Sequence, residues 1–182
     1  KRIYMRNIRN GLFTILYYSC IQYLPENRTK LGRILHTKQI RYFCCKNIFQ
    51  SIGKNVNIER KANFGYGNEL EIGDNSGLGI NSYIPSNIKI GKNVMMGPNC
   101  CILNSNHVFD RIDIPMIEQG SEIGKRIVIE DDVWIGQNVM ITAGRYIARG
   151  TIIGAGCLLC KDFPEYSIVG GNPSKLIRSR IK

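Results

Sequence analysis

The sequence predicts an all-β chain wound as a parallel β-helix, with a short N-terminal helical cap and one projecting loop. Three observations carry that reading. A large apolar residue returns at every sixth position: Ile72, Leu78, Ile84, Ile90, Met96 and Ile102 form one series. Ile129, Ile135, Ile141, Ile147, Ile153 and Leu159 form a second, and Ile52, Ile58 and Phe64 a third. Glycine follows the apolar residue directly at Gly73, Gly79, Gly91, Gly97, Gly136 and Gly154. A small or β-branched residue sits four places after it, as at Val56, Ala62, Ser76, Ser82, Val94, Cys100, Val133, Val139, Thr151 and Cys157. An α-helix repeats every 3.6 residues and a simple strand every two, so a period of six belongs to neither. A hexapeptide repeat instead gives three short strands and three turns per coil of about 18 residues. Coils then stack roughly 4.7–4.9 Å apart, as strands do in any sheet. Ile72 should lie beneath Ile90, Leu78 beneath Met96 and Ile84 beneath Ile102.

The interruptions carry as much information as the repeat. Phe64 and Ile72 are eight residues apart, so two residues are inserted near Gly65-Tyr66-Gly67. Ile102 and Ile129 are 27 apart, which is not a multiple of six. A segment therefore leaves the prism after His107 and returns near Ile127. Long excursions from compact folds are usually functional or disordered, and residues 108–126 are read as a projecting loop. The expected organisation is a helical cap over residues 1–50, a β-helix over 51–165 and a C-terminal tail over 166–182.

Charge follows the same division. Of the formal net charge of +11, residues 1–60 contribute 12 Lys/Arg against Glu26 and Glu59, and the remainder is close to neutral. Such asymmetry points to an anionic contact, either a membrane surface or a phosphate-bearing substrate. No nucleic-acid-binding motif accompanies it, so nucleic acid is not an expected partner. Leu12 to Leu24 is an apolar run closed by Pro25. It is shorter than the roughly 20 residues that span a bilayer and is read as a helix, with a second helical stretch from Leu31 to Phe49. Helices here would cover the open end of the β-helix, whose first coil otherwise exposes unpaired strand edges. Peripheral contact with the inner membrane, with Arg2, Arg6 and Arg9 flanking the run, is compatible with that role.

Seven cysteines, two of the pairs adjacent in sequence, read as packing residues of a reducing cytoplasm. Cys157 and Cys160 have metal-like spacing but lack a second pair of ligands, so no metal is expected. Of the two histidines, His36 lies in the helical region. His107 stands where the repeat gives way to the loop, on what should be an outer corner of the prism. Imidazole exchanges a proton near neutral pH, so His107 is the candidate general base. Asp110, Asp113 or a backbone carbonyl could hold its second ring nitrogen, and Asp110 joins it as a candidate catalytic residue.

Asp132-Val-Trp-Ile-Gly-Gln-Asn-Val139, Ile153-Gly-Ala-Gly-Cys157 and the tail from Lys161 through Asn172-Pro-Ser-Lys175 to Arg178 resemble the hexapeptide-repeat acyltransferases. The likeness is to sugar and polysaccharide O-acetyltransferases of the galactoside, maltose and colanic-acid type. Asn106-His107-x-x-Asp110, followed by Asp113-Ile-Pro-Met116, is similar to capsule and O-antigen acetyltransferases. The resemblance implies a left-handed coil, a cytoplasmic homotrimer with sites between neighbouring prisms, acetyl-CoA as co-substrate and a sugar or polysaccharide-precursor acceptor. It implies His107 as base, Trp134 at the acetyl-pantetheine end, and Gln137 and Ala155 along the pantetheine arm. Lys161, Lys175 and Arg178 would meet the phosphates. Asn81, Asn106 and Asp113 are the candidate acceptor contacts. The sequence departs from the pattern at Gly79, where galactoside enzymes carry an acceptor-contacting Asn, at Cys160 in place of Thr, and at Arg145 in place of a small residue.

Three other readings fit less well. An N-acyltransferase acting on an amino sugar or sugar nucleotide shares the fold, but such relatives carry a nucleotide-binding N-terminal domain for which residues 1–50 are too short. A zinc carbonic anhydrase needs three His ligands, and the repeat holds His107 alone. A structural rod should carry regular Thr rows, whereas the outward positions here are Lys, Asn, Asp and Glu.

Overall fold

The computed structural model describes residues 2–181, with side chains from Arg9 onward; Arg2 and Arg6, named above as flanking charges, lie outside the described side chains. The chain is a left-handed parallel β-helix with three faces. The first face stacks β1 (Ser51–Ile52), β3 (Glu71–Ile72), β5 (Ile88–Ile90), β10 (Ile127–Ile129) and β13 (Tyr146–Ile147). The second runs through β2 (Asn57–Ile58), β4 (Gly77–Leu78), β6 (Met95–Met96), β11 (Trp134–Ile135), β14 (Ile152–Ile153) and β16 (Ser167–Gly170). It ends in β17 (Lys175–Ser179), which is antiparallel to β16. The third holds β7 (Cys101–Ile102), β12 (Met140–Ile141) and β15 (Leu158–Leu159), extended by bridges at Asn63 and Tyr83.

Register follows the period. Ile72 pairs with Ile90, and Trp134 with Ile152, each one coil of 18 residues apart. Ile52 pairs with Ile72 across 20 residues, because the two inserted at Gly65-Tyr66-Gly67 are turned outward. The aliphatic stack is sealed: Ile58, Ile84, Ile90, Ile102, Ile129, Ile135 and Ile141 are 0–2% exposed. Between the strands the chain turns a corner within a few residues. Asn55, Asn75, Asn81, Asn93, Asn99 and Asn138 take up left-handed backbone at these corners, which Asn tolerates better than most residues with a Cβ. Their amides then form ladders, Asn55 to Asn75 to Asn93 and Asn81 to Asn99 to Asn138. The glycines after the aliphatics answer a different need, the close approach of the next coil. A Cβ on Gly136 would lie 2.6 Å from the backbone nitrogen of Ala155.

Helices α1 (Arg2–Ser19), α2 (Lys30–Ile34) and α3 (Thr37–Lys46) close the first coil. Tyr17 and Phe49 pack on Phe64 with ring centroids 4.6 and 4.8 Å away, and the Tyr17 hydroxyl donates to the Ala62 carbonyl at 2.8 Å. The second helical stretch is not continuous: His36, in left-handed backbone, separates α2 from α3.

The excursion differs from the expected loop. It leaves the prism at Ser105, before His107, because β8 (Ser105–His107) pairs antiparallel with β9 (Ser121–Ile123). His107 therefore lies on the arm of a two-stranded hairpin and not on the prism corner. Arg126 anchors the return, donating to the Glu71 carboxylate at 2.8 Å and to the Glu69 carbonyl at 3.0 Å. Arg145, the unexpected large residue, lies along the coil, where it donates to the Ala143 and Cys160 carbonyls and pairs with Asp162 at 3.5 Å.

Two glycine substitutions separate close approach from chain entropy. Gly136→Ala should lower stability by about 1–3 kcal/mol through overpacking. Gly11→Ala, in α1 with nothing within 4 Å of the added carbon, should raise it by roughly 0.5–1 kcal/mol. Chemical denaturation of both variants reads the difference.

Candidate active site

Side chains that point outward on the second face line up one coil apart: Asn57, Gly77, Met95, Trp134 and Ile152. Trp134 is 51% exposed and Met95 60%. Gly77 adds no side chain between Asn57 and Met95, so the face is hollow there. The hollow is a cleft of about 470 Å³ with Trp134 and Met95 at one end. Asn57, Glu59 and the cap residues Glu26 and Arg28 line it as well.

Glu59 is the buried carboxylate of this cleft. It is 7% exposed. Its Oε1 accepts from the Asn57 amide at 3.1 Å and its Oε2 from the Asn27 backbone N–H at 3.3 Å. Asn27 also donates to Asn57 Oδ1 at 2.7 Å, and its own Oδ1 accepts from Arg41 at 2.6 Å and from Thr37 at 3.0 Å. Arg41 is fully buried and donates to the Leu24 and Pro25 carbonyls. Burial pulls its pKa down, while Tyr17 and then Glu59 push it back up. A buried cation thus ties the cap segment to the carboxylate on the cleft wall. Sequence reading missed Glu59, although one signal was present. It follows Ile58 at the corner where Gly79, Gly97, Gly136 and Gly154 follow the aliphatic in other coils.

The residues expected to act together fall on two sides of the prism. Trp134, Lys175 and Arg178 belong to the second face, the last two on β17. Gln137 and Ala155 form the edge of that face, one coil apart, and Gly156 N–H donates to the Gln137 carbonyl at 2.8 Å. His107, Asn106, Asp110 and Asp113 belong to the hairpin, which springs from the corner between the third and first faces. Lys161 lies at that corner too, 5.4 Å over the Phe163 ring. In a triangular prism this corner is opposite the second face. One chain therefore does not bring His107 to Trp134. Asn81 stands at the same edge of the second face as Gln137, its amide in the corner ladder that runs through Asn99 to Asn138.

Around His107 the contacts are sparse. Its backbone N–H donates to Asn106 Oδ1 at 3.0 Å, and no hydrogen bond to its imidazole forms among the described residues. Asp113 is paired with Arg111, whose Nε donates at 2.9 Å and holds that carboxyl below its ordinary pKa. Neither Asp110 nor Asp113 orients the ring within the chain. The hairpin also exposes Phe109, Ile112, Met116, Ile117 and Ile123, with Ile112 and Ile117 at 101% and 88%. Cysteine offers no competing nucleophile at Trp134. Burial drives the Cys44 thiol up to about 11, and Cys160, lowered by its hydrogen bond to Ser174, lies at the corner opposite the cleft. Among the described residues no group of three or more His, Cys, Asp or Glu is placed to hold a metal ion.

Comparison with known proteins agrees with this architecture. The family model described as bacterial transferase hexapeptide (six repeats) matches residues 70–104 and 126–161 and skips the hairpin. The galactoside O-acetyltransferase of Escherichia coli K12 is 29% identical over 174 residues, which cover 90% of this chain and 84% of that protein. A chloramphenicol acetyltransferase of E. coli is 53% identical over 54 residues. The crystal structure of a maltose O-acetyltransferase from Clostridium difficile 630 superposes with a TM-score of 0.72 at 27% identity, covering 96% of this chain and 88% of that one. The chain spans 57% of the length of a Saccharomyces cerevisiae relative and 26% of that chloramphenicol enzyme. With its six-residue period, its three-faced prism and these relatives, the chain carries a hexapeptide-repeat domain similar to those of bacterial transferases.

Proposed function

We propose that the protein is an acetyl-CoA-dependent O-acetyltransferase that modifies a sugar hydroxyl. Its place would be in capsular, exopolysaccharide or O-antigen biosynthesis, as a cytoplasmic homotrimer. The observation that carries this reading is the separation of His107 from Trp134. A second copy that lays its hairpin along the second face supplies the missing base. The exposed apolar residues of the hairpin suit burial in such a contact, as do Tyr83 and Met140 on the third face, 53% and 43% exposed. The saccharide class rests on relatives named for galactoside and maltose and on the Asn106-His107-x-x-Asp110 resemblance.

In this reading acetyl-CoA lies along the second face from Trp134 toward β17. The Trp134 ring packs on the pantetheine end, Gln137 and Ala155 offer backbone groups beside it, and Lys175 and Arg178 meet phosphates as charge-assisted donors. Lys161 would reach the same cofactor from the neighbouring hairpin side. The acceptor fills the 470 Å³ cleft, where Glu59 accepts its hydroxyls. Asn106 and Asp113 border it from the neighbour, and Asn81 acts through the corner it stabilises. His107 takes the proton of the attacking hydroxyl as its oxygen bonds to the thioester carbonyl carbon. A backbone N–H stabilises the oxyanion. The carbon–sulfur bond then breaks, and the CoA thiolate leaves with the proton returned by the imidazole. Asp110 lies three residues from His107 and can orient the ring once the neighbouring chain closes the site.

Four outcomes test the reading. His107→Ala should fold normally, bind CoA and lose about 10²–10⁴-fold in acetyl transfer, read by thiol release over a glycan panel. Trp134→Ala should mainly raise the KM for acetyl-CoA. When the two variants are co-expressed, mixed assemblies join an intact His107 to an intact Trp134. Activity at limiting acetyl-CoA should then exceed that of either variant alone, and no gain would mean a site within one chain. Glu59→Gln should raise the acceptor KM about tenfold or more, the worth of a charged hydrogen bond, and leave the acetyl-CoA KM unchanged.

A further inference from the structure

The helical cap exposes more apolar surface than a solvated cap needs. Leu12, Ile15 and Leu16 form one stripe on α1, at 64%, 68% and 45% exposure. Phe13 and Tyr17 form the stripe that packs inward. On α3, Ile40 and Phe43 face outward while Arg41, Cys44 and Cys45 are buried. Leu31, Ile34 and Leu35 add a third group at α2. Helices α1 and α3 are thus two-sided, with one side packed inward and another apolar side left uncovered, and α2 adds exposed aliphatics beside them.

Charge decides what fits that uncovered side. Arg9, Arg28, Lys30, Arg33 and Lys46 are exposed on the same cap. The only acid among residues 1–50 is Glu26, which is half-buried at the rim of the cleft. Two copies meeting cap to cap would bring like charges together. An anionic surface with an apolar layer beneath it satisfies both the cations and the aliphatic stripes. No helix of the described residues is long and apolar enough to cross a membrane. The geometry points to the helical cap as a surface that lies on an anionic phospholipid bilayer. Leu12, Ile15, Ile34 and Phe43 enter the boundary between headgroups and acyl chains, and Lys30 and Arg33 meet lipid phosphates. This proposal stands on the cap alone and does not depend on acetyl transfer.

Vesicle sedimentation with the full chain tests it. The protein should sediment with phosphatidylcholine vesicles that contain phosphatidylglycerol, stay in solution with phosphatidylcholine alone, and be released by raised salt as surface charge is screened. Ile15→Ser with Phe43→Ser should weaken vesicle binding about tenfold. Lys30→Glu with Arg33→Glu should do the same with helix content unchanged, and it decides the matter if the serine variant does not fold. Wild-type protein that ignores anionic vesicles, or binds neutral ones equally at all salt concentrations, overturns the proposal. So does a serine variant that binds as wild type, or one whose only change, by light scattering, is in oligomeric state.

Discussion

Everything in this fold depends on the stacking of one aliphatic side chain on the next at the spacing of adjacent strands. The interior of each coil is only wide enough for the inward residues of its three short strands. A residue that does not fit there has no second place to go, because the following residue already points outward. That constraint produces the six-residue period and also its exceptions. Inserted residues cannot be absorbed inside the coil and must be turned out at a corner, as Gly65-Tyr66-Gly67 is, or projected as a hairpin, as Ser105–Ile123 is. At the corners backbone groups pair from coil to coil and the asparagine ladders hold the side-chain amides, while Ser82 Oγ and Thr151 Oγ1 are buried without a partner.

The same geometry dictates where chemistry can sit. A packed prism has no interior cavity for a substrate, so any site must be built on the outside from a face, a corner insertion and the cap. The second face is suited to this because Gly77 leaves it hollow and the cap overhangs it. The hairpin departs from the corner opposite that face. In the proposed reading, separating the two by the width of the prism would make self-association part of the site. The His107 ring has no hydrogen-bond partner among the described residues, whereas Glu59, on the face itself, is held by two hydrogen bonds.

Legibility in the sequence followed this division. The prism was readable residue by residue, down to the pairing of Ile72 with Ile90, because each hexapeptide reports its own register. Trp134 was readable through a motif embedded in that repeat. The hairpin was not, since Ser105-Asn106-His107 and Ser121-Glu122-Ile123 share no apolar alternation and their pairing is decided only when the returning chain comes back to Gly124. Glu59 and Asn27 were missed for a related reason. Their roles come from a contact between the first coil and a turn 32 residues earlier, and no local pattern encodes that. Asn81 stands in a corner ladder at the edge of the second face, a placement that the asparagine at each turn of the repeat already marked.

Arg41 joins these levels. Burying a guanidinium is costly unless its donors are used and its charge is answered. Here the Nη donors go to Leu24, Pro25 and Asn27, Nε is buried without a partner, and Glu59 lies close enough to favour the charged form without an ion pair. The cap is therefore more than a hydrophobic plug over Phe64. The same segment that seals the first coil also fixes the carboxylate on the cleft wall and sets the cleft's rim at Glu26 and Arg28. A displacement of the cap, by a partner surface or by loss of Arg41, would reach the cleft through Asn27 before it reached the aliphatic stack. The stack is held coil by coil, while Glu59 is held from the cap by a single turn.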